Sequence, residues 1–237
     1  MDSTHPLDRP VWSALTTRQA SLAQGDARAL RFIPDLALFA AAADRTPEAL
    51  AALAALAPDG GEIGLVELDV PPLPPGLVLV SSALCDQRVA EEVAERPADF
   101  AIEPLGDADA AEMFALASLT KPGPFFARTH RLGQFVGVKI GGRLVAMAGE
   151  RMKPVGFTEV SGVCTHPDHR GRGYAAALMA HVARAILARG ETPFLHSYSD
   201  NDGANALYAR IGFRLRRRVT FTLLARPHAF AIGRAGL

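Results

Sequence analysis

Residues 163–175 read VCTHPDHRGRGYA, and this stretch decides the fold. An apolar strand end, Val163-Cys164-Thr165, runs into a turn made of Arg170, Gly171, Arg172, Gly173, Tyr174 and Ala175, after which strong helix formers continue. Glycine lets the backbone approach a ligand closely, and the first N–H groups of a helix have no intrahelical partner. Such a helix start binds anions, phosphates above all. Arg170 and Arg172 add mobile positive charge, with an exposed solvated arginine as the alternative reading of either. The expectation is a phosphorylated ligand on the N–H groups of residues 171–175.

The surrounding periodicity gives this turn a context. Residues 158–165 read as a strand, and residues 134–140 and 144–152 as a hairpin around Gly141-Gly142. The helix over 172–189 carries Leu178, Val182 and Ile186 on one stripe and stops at Gly190. A strand at 194–198, a helix at 202–211 and a strand at 217–224 follow. Upstream, residues 102–105 are a short strand. Asp107 or Asp109 caps a helix through Leu119 in which Met113, Leu116 and Ala117 repeat at helical spacing. Lys121-Pro122-Gly123-Pro124 is a turn-rich loop leading to Phe125 and Phe126.

The first hundred residues are less sharply patterned. Residues 36–43 and 48–56 are apolar and alanine-rich, the second helical with Pro47 at its start. Residues 63–70 and 77–80 are strand candidates, separated by a proline-rich stretch read as a stiff surface loop. No chemical constellation occurs before about residue 100. A boundary at 97–99 divides the chain into residues 1–98, a smaller α/β unit with a structural or substrate-covering role, and residues 99–237.

With 49% hydrophobic residues the chain has ample material for a core, and 25 basic against 25 acidic residues argue against bulk binding to nucleic acid or an anionic membrane. Two cysteines, Cys85 and Cys164, are too few for a disulfide framework and suit a reducing cytosol. No secretory signal and no bilayer-length apolar run is visible, so a cytoplasmic location is expected.

Strand, glycine turn, helix, strand, and a short helix form a specific order, and the two ends of that order carry motifs. Arg170, Gly173 and Ala175 meet the pattern R/Q-x-x-G-x-G/A, and Asn201, Ala204, Leu207, Tyr208, Gly212 and Phe213 meet N-x-x-A-x-x-L-Y-x-x-x-G-F. Over about residues 100–226 the chain resembles the GNAT superfamily of acetyl-CoA-dependent N-acyltransferases, and looks closest to its glycine-N-acyltransferase-like branch. The resemblance implies an α/β (α+β) fold: a mixed, mostly antiparallel sheet flanked by helices. Residues 1–98 would then be a preceding unit of unclear role, or a degenerate half of the same fold. It implies acetyl-CoA as co-substrate, no metal, and direct attack by a primary amine in a ternary complex.

Family roles transfer residue by residue. The strand that splays from its neighbour would place Val163, Cys164 and Thr165 along the pantetheine arm through main-chain atoms. Arg170, Gly171, Arg172, Gly173, Tyr174 and Ala175 would hold the pyrophosphate, and Asn201 would bond pantetheine or cap the helix bearing Tyr208. Glu159 is the candidate base, directly or through water, with Ser161 on the same strand face; a glutamate paired to an arginine is the alternative. Tyr208 is the candidate acid for the thiolate, with core packing as its alternative. Phe125, Phe126 and Arg128 are expected on the acceptor side, where they would suit a small amine bearing a carboxylate. A peptide or protein amine is equally compatible, and so is a homodimer.

Cys164, His166 and His169 are cramped by Pro167 and run into the phosphate turn, which disfavours a metal. Cys164 as an acylated nucleophile is disfavoured against strand packing. The run Arg214, Arg216, Arg217 and Arg218 reads as a solvated strand edge, or an aid to an acidic substrate, before a nucleic-acid contact. A non-catalytic acyl-CoA sensor of the same fold is the competing function.

Overall fold

The computed structural model describes residues 5–94 and 98–227. Among them the helices are α1 (Pro10–Leu15), α2 (Pro47–Ala55), α3 (Ala110–Thr120), α4 (Tyr174–Ala188) and α5 (Asp202–Ile211). The strands are β1 (Ala23–Gly25), β2 (Ala29–Phe32), β3 (Ala40–Ala42), β4 (Glu62–Glu67), β5 (Val78–Val89), β6 (Glu103–Leu105), β7 (Phe135–Ile140), β8 (Arg143–Glu150), β9 (Phe157–Thr165), β10 (Thr192–Tyr198) and β11 (Arg214–Ala225). Eight strands share one sheet in the order β4-β11-β5-β10-β9-β8-β7-β6, and β1-β2-β3 form a separate small sheet. Within the large sheet only β9 and β10 run parallel. This is the mixed, mostly antiparallel sheet with flanking helices that the sequence implied.

Strands β4 and β5 precede residue 98, yet they pair with β11 and β10, which follow it. One sheet is thus shared by the two expected segments. Of the expected boundary at 97–99, Pro97 lies outside the described residues. The strand expected at 77–80 covers only the first three residues, 78–80, of the twelve-residue β5.

Helix α4 packs on the sheet through Leu178, Met179, Ala180, Val182, Ala183 and Ile186, all buried, in a cluster with Val138, Val145, Val160 and Leu195. Each fully buried aliphatic side chain of this kind contributes about 1.5–3 kcal/mol relative to exposure. That packing holds the N-terminus of α4 at the end of β9. Helix α5 begins at Asn201, whose side chain accepts from the Ala204 N–H at 3.2 Å, so Asn201 is the helix cap. Buried Asn205 ties α5 back to the end of β10 by donating to the carbonyls of Tyr198 and Ser199.

Candidate active site

The parallel ladder between β9 and β10 is short. Residues Phe157, Thr158 and Glu159 face Thr192, Pro193 and Phe194, and there the pairing ends. Strand β9 continues to Thr165 against β8, and β10 continues to Tyr198 against β5. The facing edges of residues 160–165 and 195–198 therefore separate with no ladder between them. A register shift of β9 against β8 accompanies the split, with Gly162 at φ +65° inside it. A bulge bends a strand and increases its twist, and only glycine accepts that φ without strain. A Cβ at Gly162 would also come within 2.9 Å of the Phe135 ring.

Two cavities meet at this split. The larger, of about 850 Å³, is lined by Val163, Cys164 and Thr165 on β9, by residues 170–176 of the turn and α4, and by Asn201, Leu207 and Tyr208. Every residue expected to hold the cofactor lies on it. Gly171 and Gly173 take φ of +76° and +80°, and Gly173 is the residue before the first turn of α4. Arg170 and Arg172 are exposed at the rim of this cleft. The Tyr174 side chain is buried edge-on against Phe100. Thr165 Oγ1 and His169 Nδ1 are buried without hydrogen-bond partners, and both residues line the cleft. Buried polar atoms are costly unless paired, so a polar ligand suits them. His169 was not assigned this role from sequence.

The smaller cavity, of about 150 Å³, is lined by Phe39, Cys85, Phe221, residues 122–124, Arg151, Ser161, His196, Ser197 and Tyr198. Pro122, Val163, Met179, Asn201 and Tyr208 line both cavities. Tyr208 thus stands at the junction, and burial raises its phenol pKa above the ordinary value of 10.0, opposed by Arg88. A protonated phenol at neutral pH is the form able to donate.

Glu159 is fully buried and held on all sides. Arg151 Nε and Nη2 donate to Oε2 and Oε1 at 2.8 Å each, and the Met152 N–H approaches Oε2 at 3.3 Å. His196 Nδ1 lies 2.8 Å from Oε1. Burial opposes the charge, but Arg151 and His196 overcome it and hold the carboxyl at about 2, below its ordinary 4.5. This is the arginine-paired arrangement weighed in the sequence reading, in place of an accessible proton acceptor. A group depressed in this way stabilises the fold at pH above 4.5, and the contribution is lost as pH falls toward 2. Acid denaturation followed by circular dichroism should show a transition in that window, and Glu159→Gln should flatten it.

The structure places the three acceptor candidates away from the lining of both cavities. Phe125 packs edge-on against Phe135 in the core under α3. Phe126 joins the core formed with the first forty residues, and Arg128 is ion-paired to Asp35 at 2.9 Å. None of the three lines either cavity. The neighbouring residues 122–124 do, together with Arg151 and His196, which no local motif marks. Cys164 is buried and its thiol is pushed up to about 11, which keeps it protonated. Among the described residues no three His, Cys, Asp or Glu side chains are grouped to share a metal ion. The arginine run is ion-paired: Arg214 with Glu91, Arg216 and Arg217 with Asp8, Arg218 with Asp86. No helix among the described residues is long and apolar enough to cross a membrane.

Comparison with known proteins agrees with this geometry. The family model for FR47-like protein matches residues 135–222, which hold the split strands and both motifs. A crystal structure of a GNAT-family protein from Novosphingobium aromaticivorans is 47% identical, with a TM-score of 0.88, and the match covers 94% of this chain and 100% of that one. The chain belongs to the GNAT family. N-alpha-acetyltransferase RimI from Mycobacterium tuberculosis is 37% identical over 91 residues, 35% of this chain and 56% of the relative, so the chain spans little more than half of that curated protein. A GCN5-related N-acetyltransferase from Kribbella flavida, 20% identical over 91% of this chain and 93% of its own, shares the fold with a TM-score of 0.63.

Proposed function

We propose that this chain is an N-acetyltransferase that moves the acetyl group of acetyl-CoA to an amine by direct attack in a ternary complex. The observation that carries the reading is the split between β9 and β10, which joins a glycine-turn cleft to a small cavity at Tyr208. Residues 171–175 would hold the diphosphate on backbone N–H groups, aided by Arg170, Arg172 and the unpartnered His169 Nδ1. The unpaired backbone edge of residues 163–165 would take the pantetheine arm, satisfying groups the sheet leaves without partners. Acetyl-CoA supplies the activated acyl carbon, and the amine enters from the smaller cavity.

Tyr208 is the proton donor for the leaving sulfur. Glu159 is assigned a positioning role, since its oxygens are occupied by Arg151, His196 and the Met152 amide. A buried carboxylate bound this tightly is a weak base. The glycine-N-acyltransferase-like branch is part of the proposal, resting on the two motifs in order. The RimI relative, named for N-alpha-acetylation, favours a peptide amine. An assay of free thiol release with glycine and with a peptide N-terminus separates the two.

Tyr208→Phe should lower kcat about 10²-fold while calorimetry shows an unchanged Kd for acetyl-CoA. An unchanged kcat would make the tyrosine a packing residue. A chain that binds acetyl-CoA but releases no thiol with any amine would instead be a sensor of the same fold.

A further inference from the structure

The groups that could remove a proton from an incoming ammonium are locked in one chain of hydrogen bonds. Gln87, fully buried on β5, lies opposite His196 in the β5–β10 ladder. Its Oε1 accepts from Arg216 Nη1 at 2.8 Å, and its Nε2 donates to the Leu7 carbonyl at 2.8 Å. Arg216 is itself anchored on Asp8 at 2.7 Å. These contacts fix which end of the amide faces His196: the Nε2 end, 3.1 Å from His196 Nε2. An amide nitrogen only donates, so His196 Nε2 accepts, and Nδ1 carries the proton given to Glu159.

Protonating His196 would set an N–H against the Gln87 N–H. Turning the Gln87 amide to relieve that contact would set its N–H against Arg216. Both imidazole nitrogens are thereby engaged. Glu159 has no free lone pair either, as described above. Among the other described residues lining the small cavity, Ser197 donates to Asn205, and Cys85 is pushed by burial up to about 11. Tyr198, near Cys85 and Asp200, is raised by burial and stays protonated at neutral pH. Arg151 is a permanent cation.

From this closed network we infer that the enzyme accepts its amine only in the neutral form, and so selects α-amino groups and other weakly basic amines over lysine side chains. The inference rests on the N-acetyltransferase reading above and names its substrate class. The chemistry balances without a base. The amine lone pair forms the C–N bond, the C–S bond breaks, and its electron pair leaves on sulfur. Tyr208 gives its phenolic proton to sulfur and takes one from nitrogen, so a neutral amine and a thioester become an amide and a thiol. An ordinary α-amine titrates near 7.7–8.0 and a lysine near 10.4, a difference worth about 10²-fold in neutral amine at neutral pH.

The test uses the full-length chain, saturating acetyl-CoA and thiol release as the readout. Acceptors are a lysine-free peptide with an open N-terminus, its Nα-blocked counterpart bearing one lysine, and a primary amine with its β-fluorinated analogue. The break in log kcat/KM against pH should move with each acceptor's own pKa. At neutral pH the α-amine should be preferred about 10²-fold. One break at the same pH for every acceptor reports a base on the enzyme and overturns the inference while leaving the transferase reading intact. Absence of thiol release from all four overturns both.

Discussion

Gly173→Glu is expected to abolish acetyl-CoA binding in calorimetry while lowering the thermal midpoint by only about 2–8 °C. Gly173 sits at φ +80° directly before α4, with nothing within 4 Å of where a Cβ would be. The space is open, so the substitution costs the fold only the left-handed backbone penalty, about 1–2 kcal/mol. The loss of binding comes from electrostatics. A carboxylate at the positive end of α4 would take the place proposed for one phosphate and repel the other. Gly173→Ala supplies the control, since it keeps the backbone strain and lacks the charge. Affinity that survives in Gly173→Glu would mean that the diphosphate sits elsewhere.

Arg151→Leu destabilises the protein by about 3–5 kcal/mol, read as a lower urea midpoint at unchanged slope. Arg151 gives Glu159 a two-pronged ion pair at 2.8 Å and stacks over the Phe39 ring at 4.6 Å. Removing it strands a buried carboxylate with the His196 imidazole as its remaining side-chain partner. Adding Glu159→Gln to Arg151→Leu should recover much of the loss, because no unpaired charge remains. A loss below about 1 kcal/mol would show that water reaches Glu159 and that the network is not closed.

What the sequence disclosed follows the range of the interactions involved. Helix α5 was legible to the residue because its cap, Asn201, and its stop, Gly212, are local signals. The turn before α4 was legible for the same reason. Strand β5 was mostly hidden: Asp86, Gln87 and Arg88 interrupt its apolar pattern, and while Arg88 pairs with Asp86 on the same strand, Asp86 and Gln87 bond to Ser199, Leu7 and Arg216 far away in sequence. The small sheet β1-β2-β3 was missed because its segments are three or four residues long and β3 is all alanine.

The candidate site divides along the same line. The residues proposed for the cofactor lie mostly on a continuous piece of chain from β9 into α4, where local motifs make them legible, and all of them line one cleft. The acceptor side is assembled from the loop after β8, from β10, and from β5 and Phe39 in the first ninety residues. Phe125, Phe126 and Arg128 follow a turn-rich loop in sequence, but the two half-buried rings pack against core clusters and Arg128 pairs with Asp35. A usable signal did exist. Glu159, His196 and Gln87 are charged or polar residues within strand sequences, and such residues are buried only when they are paired.

The most direct test of the account is a crystal structure of the complex with acetyl-CoA. The account predicts the diphosphate on the N–H groups of residues 171–175, the pantetheine between β9 and β10, and the thioester beside Tyr208. Acetyl-CoA bound outside the gap between residues 160–165 and 195–198 would contradict it.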